Sequence, residues 1–371
     1  MKNLVADTER CTVCVMPRHF IRCSEEGVCA FCLDDDRRLK YKGEDALREL
    51  LDRTKSEARS RGAEFDCLCA ISGGKDSTYA MHQCATKYGM RVLAFTYDHG
   101  FADGQAQRNI ENAVAALRIP LVRSGGTGVQ RRYLRHNLAA VLNQGEASQG
   151  VLSSLLCVGC SDGYVRGANR LARDRGIPIV VQGGAPVEPD MKGLYDPFTS
   201  YTKNVVLKPV VQVLTHRMFY HPSYPKNPWY HVSALRGCLK SWLGRLLPQK
   251  EGVSRCQFFS YVPYEDSRIV DTLERDLAWR RPPGRSSSTR FDCKIHWLLD
   301  IIRQKAWGLT DKEVVYSCMV RKGLLARDEA LRRVEVEERE EEALRDEVVV
   351  DVLRRLDRMD LLDQLRALYH K

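Results

Sequence analysis

The chain has 371 residues and 14 cysteines, and its 58 Lys and Arg outweigh 48 Asp and Glu to give a formal net charge of +10. That length can bury one main domain with attachments. There is no apolar run of about eighteen residues to cross a membrane as a helix. Met1-Lys2-Asn3-Leu4-Val5-Ala6-Asp7 lacks a signal-peptide core, so a cytoplasmic protein is expected. In that compartment many cysteines point to metal or redox chemistry rather than to a disulfide framework. The positive charge asks for an anionic partner (nucleotide, RNA or a membrane surface) without choosing among them.

Residues 1–35 hold Cys11-Thr12-Val13-Cys14 and Cys29-Ala30-Phe31-Cys32, two C-x-x-C knuckles with fourteen residues between them. Each pair puts two thiolates on one tight turn, the spacing of a four-cysteine zinc ribbon. Such a closed site is structural. Four chance cysteines in a small core are the bland alternative, and Cys23 is a spectator in either case. Residues 34–61 are charged and helical, with Leu39, Ala46, Leu47, Leu50 and Leu51 as an apolar stripe. They join the ribbon to a main domain at 36–196.

That domain opens on Cys67-Leu68-Cys69-Ala70-Ile71, a short apolar run suited to a buried parallel strand. Ser72-Gly73-Gly74-Lys75-Asp76-Ser77 follows, and then a segment of helical composition. Strand, Gly-rich turn and helix start aim backbone N–H groups at one spot where an anion is favoured. Two glycines let the backbone approach phosphate oxygens, Lys75 supplies a mobile charge, and Ser72 and Ser77 supply hydroxyls. Asp76 beside a phosphate implies a divalent cation or an oriented lysine. The lysine comes too early for a Walker loop. An ordinary strand–helix turn is the bland alternative.

Arg91-Val92-Leu93-Ala94-Phe95-Thr96-Tyr97 reads as the second strand. In an open α/β sheet ligands sit at carboxyl strand ends, so Thr96 and Asp98 are candidates for adenine contact and a magnesium carboxylate. His99 reads equally as a surface or a catalytic residue. Helices are predicted over 107–117 and 130–143, and strands over 119–122 and 177–181. The last strand runs into Gln182-Gly183-Gly184, where Gly183 would approach the ribose or α-phosphate unless the pair is a simple turn. The alternation predicts a doubly wound parallel α/β sheet.

Cys157-Val158-Gly159-Cys160 precedes a helix predicted over 161–172. This pair could be redox-active, bind a second metal, or ligate an iron–sulfur cluster with a third cysteine from afar. Cys293 leads Cys256 for that place, because Ser286 to Arg290, Asp292 and Lys305 surround it with polar groups. Two buried thiols packing the domain are the alternative. Residues 197–250 carry no Asp or Glu but eight basic residues, interleaved with Tyr220, Tyr224, Trp229, Tyr230 and Trp242. This insertion, bounded at 197–255, suits RNA, a membrane surface, a lid over a sugar, or plain solvated chain. Residues 256–371 form a C-terminal helical region. Its acidic run at 335–342 reads as a solvated face, and the apolar spacing at 348–368 as a packing or oligomerisation helix, the latter giving a homodimer.

The loop at 72–77 resembles the S-G-G-x-D-S loop of the PP-loop ATP pyrophosphatases, which split ATP between the α- and β-phosphates. Together with Arg10-Cys11-Thr12-Val13-Cys14-Val15-Met16-Pro17, Glu25-Glu26-Gly27-Val28-Cys29, Phe259, Tyr261, Val262, Lys305 and the run at 327–330, it resembles the N-acetyl sugar amidotransferases of surface-polysaccharide biosynthesis. The insertion at 197–250 departs from that pattern. The resemblance implies an enzyme that uses ATP, Mg2+ and Zn2+ to adenylate an amide oxygen on an N-acetylated sugar. Ammonia from a separate glutaminase then displaces AMP. Ala70, Ser72, Gly73, Gly74, Lys75, Asp76, Ser77, Thr96, Asp98 and Gly183 would hold ATP, with Lys75 and Asp76 acting on the pyrophosphate and magnesium. PP-loop sulfurtransferases, including tRNA thiolases, resemble the chain in the same loop and knuckles. They imply sulfur delivery through Cys157, Cys160 and a third cysteine, with tRNA as partner. A nucleotide-binding scaffold that no longer turns over is the third reading.

Overall fold

The computed structural model describes residues 9–33, 41–143, 145, 149–150, 153, 155–185 and 253–369. The basic, aromatic stretch at 197–250 lies outside them. After a short turn of helix α1 (Ala30–Leu33) and helix α2 (Glu44–Ser60), the chain alternates strand and helix. β1 (Cys67–Ala70), α3 (Lys75–Thr86), β2 (Val92–Asp98), α4 (Gly104–Leu117), β3 (Leu121–Gly125), α5 (Thr127–Leu142), α6 (Leu155–Asp174) and β4 (Ile179–Gln182) follow in order. A fifth strand, β5 (Ser254–Gln257), pairs in parallel with β4. Its short polar sequence gives no strand signal.

The sheet order is β3-β2-β1-β4-β5, and every pairing is parallel. The chain therefore builds outward from β1 in one direction and then crosses back to build in the other. Such a reversal opens a crevice at the carboxyl ends of the two central strands, here β1 and β4. Side chains along β1 alternate between the two layers that cover it. Leu68 and Ala70 face Phe95, Ala168, Ala172 and Val180 in the layer that includes α6. Cys67 and Cys69 face Met81 and Cys84 of α3 in the opposite layer.

The third strand begins at Leu121, later than its sequence suggests. Pro120 has no N–H for a ladder, but its carbonyl accepts from Ala94 N at 2.9 Å. Cys157 and Cys160 lie inside the first turns of α6 rather than ahead of it.

Helices α7 (Asp266–Leu277), α8 (Ile295–Trp307), α9 (Asp311–Arg321), α10 (Arg327–Leu356) and α11 (Leu362–Tyr369) complete the chain. The helix α9 starts on a capping box in which Thr310 and Glu313 satisfy each other's backbone N–H groups. The apolar stripe of α10, with Val349, Val352, Leu353 and Leu356 fully buried, packs on α5, α8 and α11. The tail is thus used for packing within the chain.

The acidic run of α10 is a solvated face only in part, at Glu335 and Glu342. Glu337 and Glu341 are buried. Lys312 of α9 reaches Glu341 at 2.6 Å and Glu338 at 3.2 Å, and Arg285 reaches Glu341 at 2.7 Å. Cations on neighbouring elements compensate charges that the run alone would have to leave in water.

Candidate active site

The phosphate-type loop is fixed by contacts that need its glycines. Gly73 has φ 85°, and a Cβ there would stand 2.1 Å from the Ala106 carbonyl oxygen. Its own carbonyl accepts the indole N–H of the fully buried Trp279 at 3.0 Å. Across the crevice, a Cβ on Gly183 would meet the Asp76 carbonyl carbon at 2.6 Å. The turn after β4 and the start of α3 therefore approach backbone to backbone.

Ser77 Oγ accepts from Ser72 N at 3.2 Å, and Thr78 Oγ1 donates to the Gly74 carbonyl at 2.8 Å. No side chain caps the start of α3 at Gly74. Its first amides can therefore serve an anion. The Ala70 carbonyl accepts the Tyr164 hydroxyl at 3.0 Å, which ties β1 to α6.

Lys75 is buried, and its Nζ lies 3.4 Å from Asp76 Oδ1 and 3.5 Å from Asp266 Oδ1. Burial works against the ammonium, but Asp76, Tyr264 and Asp266 together hold its pKa well above the ordinary lysine value. The charge is therefore permanent at neutral pH. Tyr264 Oη donates to Asp76 Oδ1 at 2.9 Å, and burial pushes this phenol far up, so it stays protonated. Loop residues and α7 thus share one cluster of a lysine, two carboxylates and a phenol.

Two cavities meet at this crevice. The larger, about 680 Å³, runs from Ser72, Gly74, Lys75, Asp76 and Ser77 past Gly183 to a facing wall that includes Arg290, Asp292 and His296. The smaller, about 420 Å³, is lined by Thr96, Asp98, His99, Cys157, Cys160 and Cys293. Ser72, Cys157, Tyr164, Asp292 and His296 border both. Asp98 Oδ1 accepts from Gly100 N at 2.9 Å, which shapes the turn after β2. Burial lowers the His99 pKa, and its Nδ1 accepts from Phe101 N at 3.2 Å. His99 is half-buried, lines the smaller cavity and holds a turn through Nδ1.

Cys157, Cys160 and Cys293 come to one wall, yet their sulfurs are not all within 4.8 Å of one another. They are not gathered for one shared metal ion; the ligands of an iron–sulfur cluster sit on separate irons and stand wider apart. Burial raises the Cys157 and Cys160 thiols to about 11 and about 12.

The knuckle cysteines do converge. Cys11, Cys14, Cys29 and Cys32 lie within 4.8 Å of one another, with Cys11–Cys32 at 3.8 Å, Cys14–Cys29 at 3.7 Å and Cys29–Cys32 at 3.5 Å. A tetrahedron with metal–sulfur bonds of about 2.3 Å has sulfur–sulfur edges of about 3.8 Å. Arg321 Nη1 approaches Cys14 Sγ at 3.8 Å, offsetting thiolate charge. This cluster can hold a metal ion. Cys23 is outside it. The knuckles are clamped to the C-terminal helices, since Arg327 donates to the Cys11 carbonyl at 3.0 Å and the Cys14 carbonyl at 3.2 Å. Arg10 pairs with Glu313 at 2.7 Å, both buried.

Sequence reasoning does not single out Tyr264, Asp266, Trp279 or His296. They come from the C-terminal region, and only the Tyr264-Glu265-Asp266 run beside the aromatic cluster at 258–261 offers a local signal. Lys305, singled out for its polar setting, lies on α8 but is not among the cavity-lining residues.

No family model and no curated protein matches the chain. Among solved structures it is similar to the U34-tRNA thiolase NcsA from Methanococcus maripaludis with its 4Fe-4S cluster, at 13% identity over 88% of each chain and a TM-score of 0.36. It is also similar to NMN synthetase from Francisella tularensis, at 12% identity over 82% of this chain and 97% of that one, TM-score 0.34. NAD+ synthetase from Burkholderia pseudomallei gives 12% identity, 84% and 96% coverage, and a TM-score of 0.33. Likeness of this size carries no argument about chemistry.

Proposed function

We propose that the protein is an ATP-dependent, adenylate-forming enzyme that cleaves ATP to AMP and pyrophosphate to activate an amide oxygen. The observation that carries the reading is the loop at 72–77, set at the sheet's reversal point with a buried, permanently charged Lys75 and a cavity of about 680 Å³ before it. In this reading the amides of Gly73, Gly74 and the first turn of α3 hold the pyrophosphate. Lys75 neutralises the charge that develops on that leaving group, which is catalysis by placed charge. Asp76, with Tyr264 fixing one oxygen, would ligate the magnesium that neutralises ATP. Thr96 and Asp98 border the smaller cavity, which takes the adenosine, while Gly183 lets the α-phosphate approach the β4 end.

The preferred acceptor is an N-acetylated sugar, converted to an amidine by ammonia from a separate glutaminase. The four knuckle cysteines suit a structural Zn2+ that keeps the ribbon on α9 and α10. Replacing Lys75 or Asp76 by Ala should abolish AMP and pyrophosphate release while the melting transition is kept. Persistent AMP formation in both variants sinks the assignment.

A second reading, sulfur transfer to tRNA or a small molecule, is favoured by one observation: Cys157 borders both cavities. Metal and sulfide analysis of protein purified without oxygen separates the two readings. Zinc alone favours amidotransfer; iron with acid-labile sulfide favours thiolation through Cys157, Cys160 and Cys293. Nucleotide binding without AMP formation under any acceptor would leave a non-catalytic scaffold.

A further inference from the structure

We infer that His296 is the proton acceptor of the second half-reaction, placed across the cavity from the phosphate loop so that the acceptor's reacting carbon lies between them. The inference rests on the adenylation reading above.

Three observations lead to His296. It borders both cavities, so it stands where the nucleotide and acceptor spaces join. Its Nδ1 is shut off from solvent and has no hydrogen-bond partner among the described residues; Asp311 Oδ2, at 3.9 Å, is beyond bonding reach. An imidazole buried merely for packing would be expected to satisfy that nitrogen, because leaving a buried polar atom unpaired costs about 1–3 kcal/mol. The wall that carries it also faces the loop directly. Asp292, four residues earlier, comes within 3.6 Å of the point where a Gly74 Cβ would stand. On the same wall Arg290 holds φ 48°, a conformation that non-glycine residues keep where the surrounding structure imposes it, often at functional sites.

The ring is neutral at pH 7. Burial, then the charge of Arg290, lowers its pKa to about 4, while Asp311 and Asp292 work the other way and Arg303 adds to the lowering. A neutral imidazole keeps one nitrogen able to take a proton; with Nδ1 shut off from solvent on the Asp311 side, that nitrogen is Nε2. In the chemistry this implies, the amide oxygen has bonded to the α-phosphorus and pyrophosphate has left, giving a cationic O-adenylated imidate. The lone pair of ammonia forms a carbon–nitrogen bond, and the C=N electron pair moves onto the original nitrogen. His296 takes one proton from the new ammonium. The carbon–oxygen bond then breaks, its electron pair and the oxygen leaving with AMP, and the carbon–nitrogen double bond re-forms as an amidinium. The proton on His296 passes to solvent. Asp311 would stabilise the transient imidazolium.

Wild-type, His296→Gln, His296→Asn and His296→Ala full-length proteins are compared with Mg·ATP, ammonium chloride and a set of nucleotide-linked N-acetyl hexosamines. ATP–pyrophosphate exchange follows adenylation, mass spectrometry follows the amidine, and calorimetry with Mg·ATP shows that each variant keeps its nucleotide site. The expected result is exchange kept within a few-fold, amidine formation down about 100-fold or more, and partial recovery of His296→Ala by free imidazole. Normal amidine formation in the variants overturns the inference, and so does a parallel loss of exchange and amidine without imidazole rescue. A wild-type protein that exchanges with none of these sugars overturns the adenylation reading itself, and this inference with it.

Discussion

Trp279 donates its indole N–H to the carbonyl of Gly73 at 3.0 Å, a bond between residues 206 apart in sequence. Asn109 steadies the same junction, accepting from Arg280 N at 3.0 Å and donating to the Arg280 carbonyl at 2.8 Å. The residue that permits the loop's sharp turn is therefore held by the C-terminal region. Trp279→Phe keeps most of the ring volume and removes the donor. It should cost about 1–2 kcal/mol of stability and reduce the extra stabilisation that Mg·ATP confers. Denaturant melts with and without nucleotide measure both; unchanged melts would show that the bond is dispensable.

Gly183→Ala places a methyl group 2.6 Å from backbone atoms of Asp76. Neither the β4 end nor the first turn of α3 can yield without shifting the loop, so AMP release should fall at least about 10-fold and stability by about 1–3 kcal/mol. Gly128→Ala is the control. It lies on α5 with nothing within 4 Å and should stabilise slightly. Equal behaviour of the two variants would refute the close approach at Gly183.

Burial, reinforced by Asp311 and Glu341, raises the Asp300 carboxyl to about 8. Its unfolded value is near 3.9, so the folded state holds a proton that the unfolded state has lost. The stability this contributes is complete below about pH 4 and drains away as pH rises through about 8. Asp300→Asn keeps an acceptor for Asp311 N, now bonded at 3.0 Å. Compared with wild type, the variant should gain on the order of 1 kcal/mol or more at pH 9 over its standing at pH 5. Parallel melting curves at the two pH values would contradict this.

Stripping a metal held by Cys11, Cys14, Cys29 and Cys32, as the zinc proposal requires, should loosen more than residues 9–33. Arg10, Arg321 and Arg327 all bridge that segment to α9 or α10. Chelation should speed hydrogen exchange in α9 and at the start of α10, lower the melting temperature by several degrees, and leave β1 to β3 protected. Exchange confined to residues 9–33 would show that the ribbon is only an appendage.

What could be read in the sequence is what is local. The loop at 72–77 and the two knuckles each fit within one turn, so spacing alone fixes which atoms meet. The alternation of apolar runs and helices likewise announces a parallel sheet. Tyr264, Asp266, Trp279 and His296 reach the site only through the packing of α7 and α8, which no periodicity encodes. The acidic run of α10 misleads for the same reason: Lys312 and Arg285, the cations that admit Glu338 and Glu341 to the interior, belong to other elements. Cys157 and Cys160 share a wall as their spacing suggests, and Cys293 joins them there without the three sulfurs gathering for a single metal ion.

The bonds from Trp279 and Tyr264 to the loop, and the wall that Asp292 places opposite it, also set an order of events during synthesis. A nascent chain can pair β1 with β2 and β3 early, since their contacts are close in sequence. The far wall is missing until residues beyond 290 have left the ribosome, at about 5–20 residues per second. A ligand of that cavity therefore cannot reward partial folding. A polypeptide stalled or clipped before that point would carry an intact S-G-G-K-D-S loop with no facing wall to its cavity.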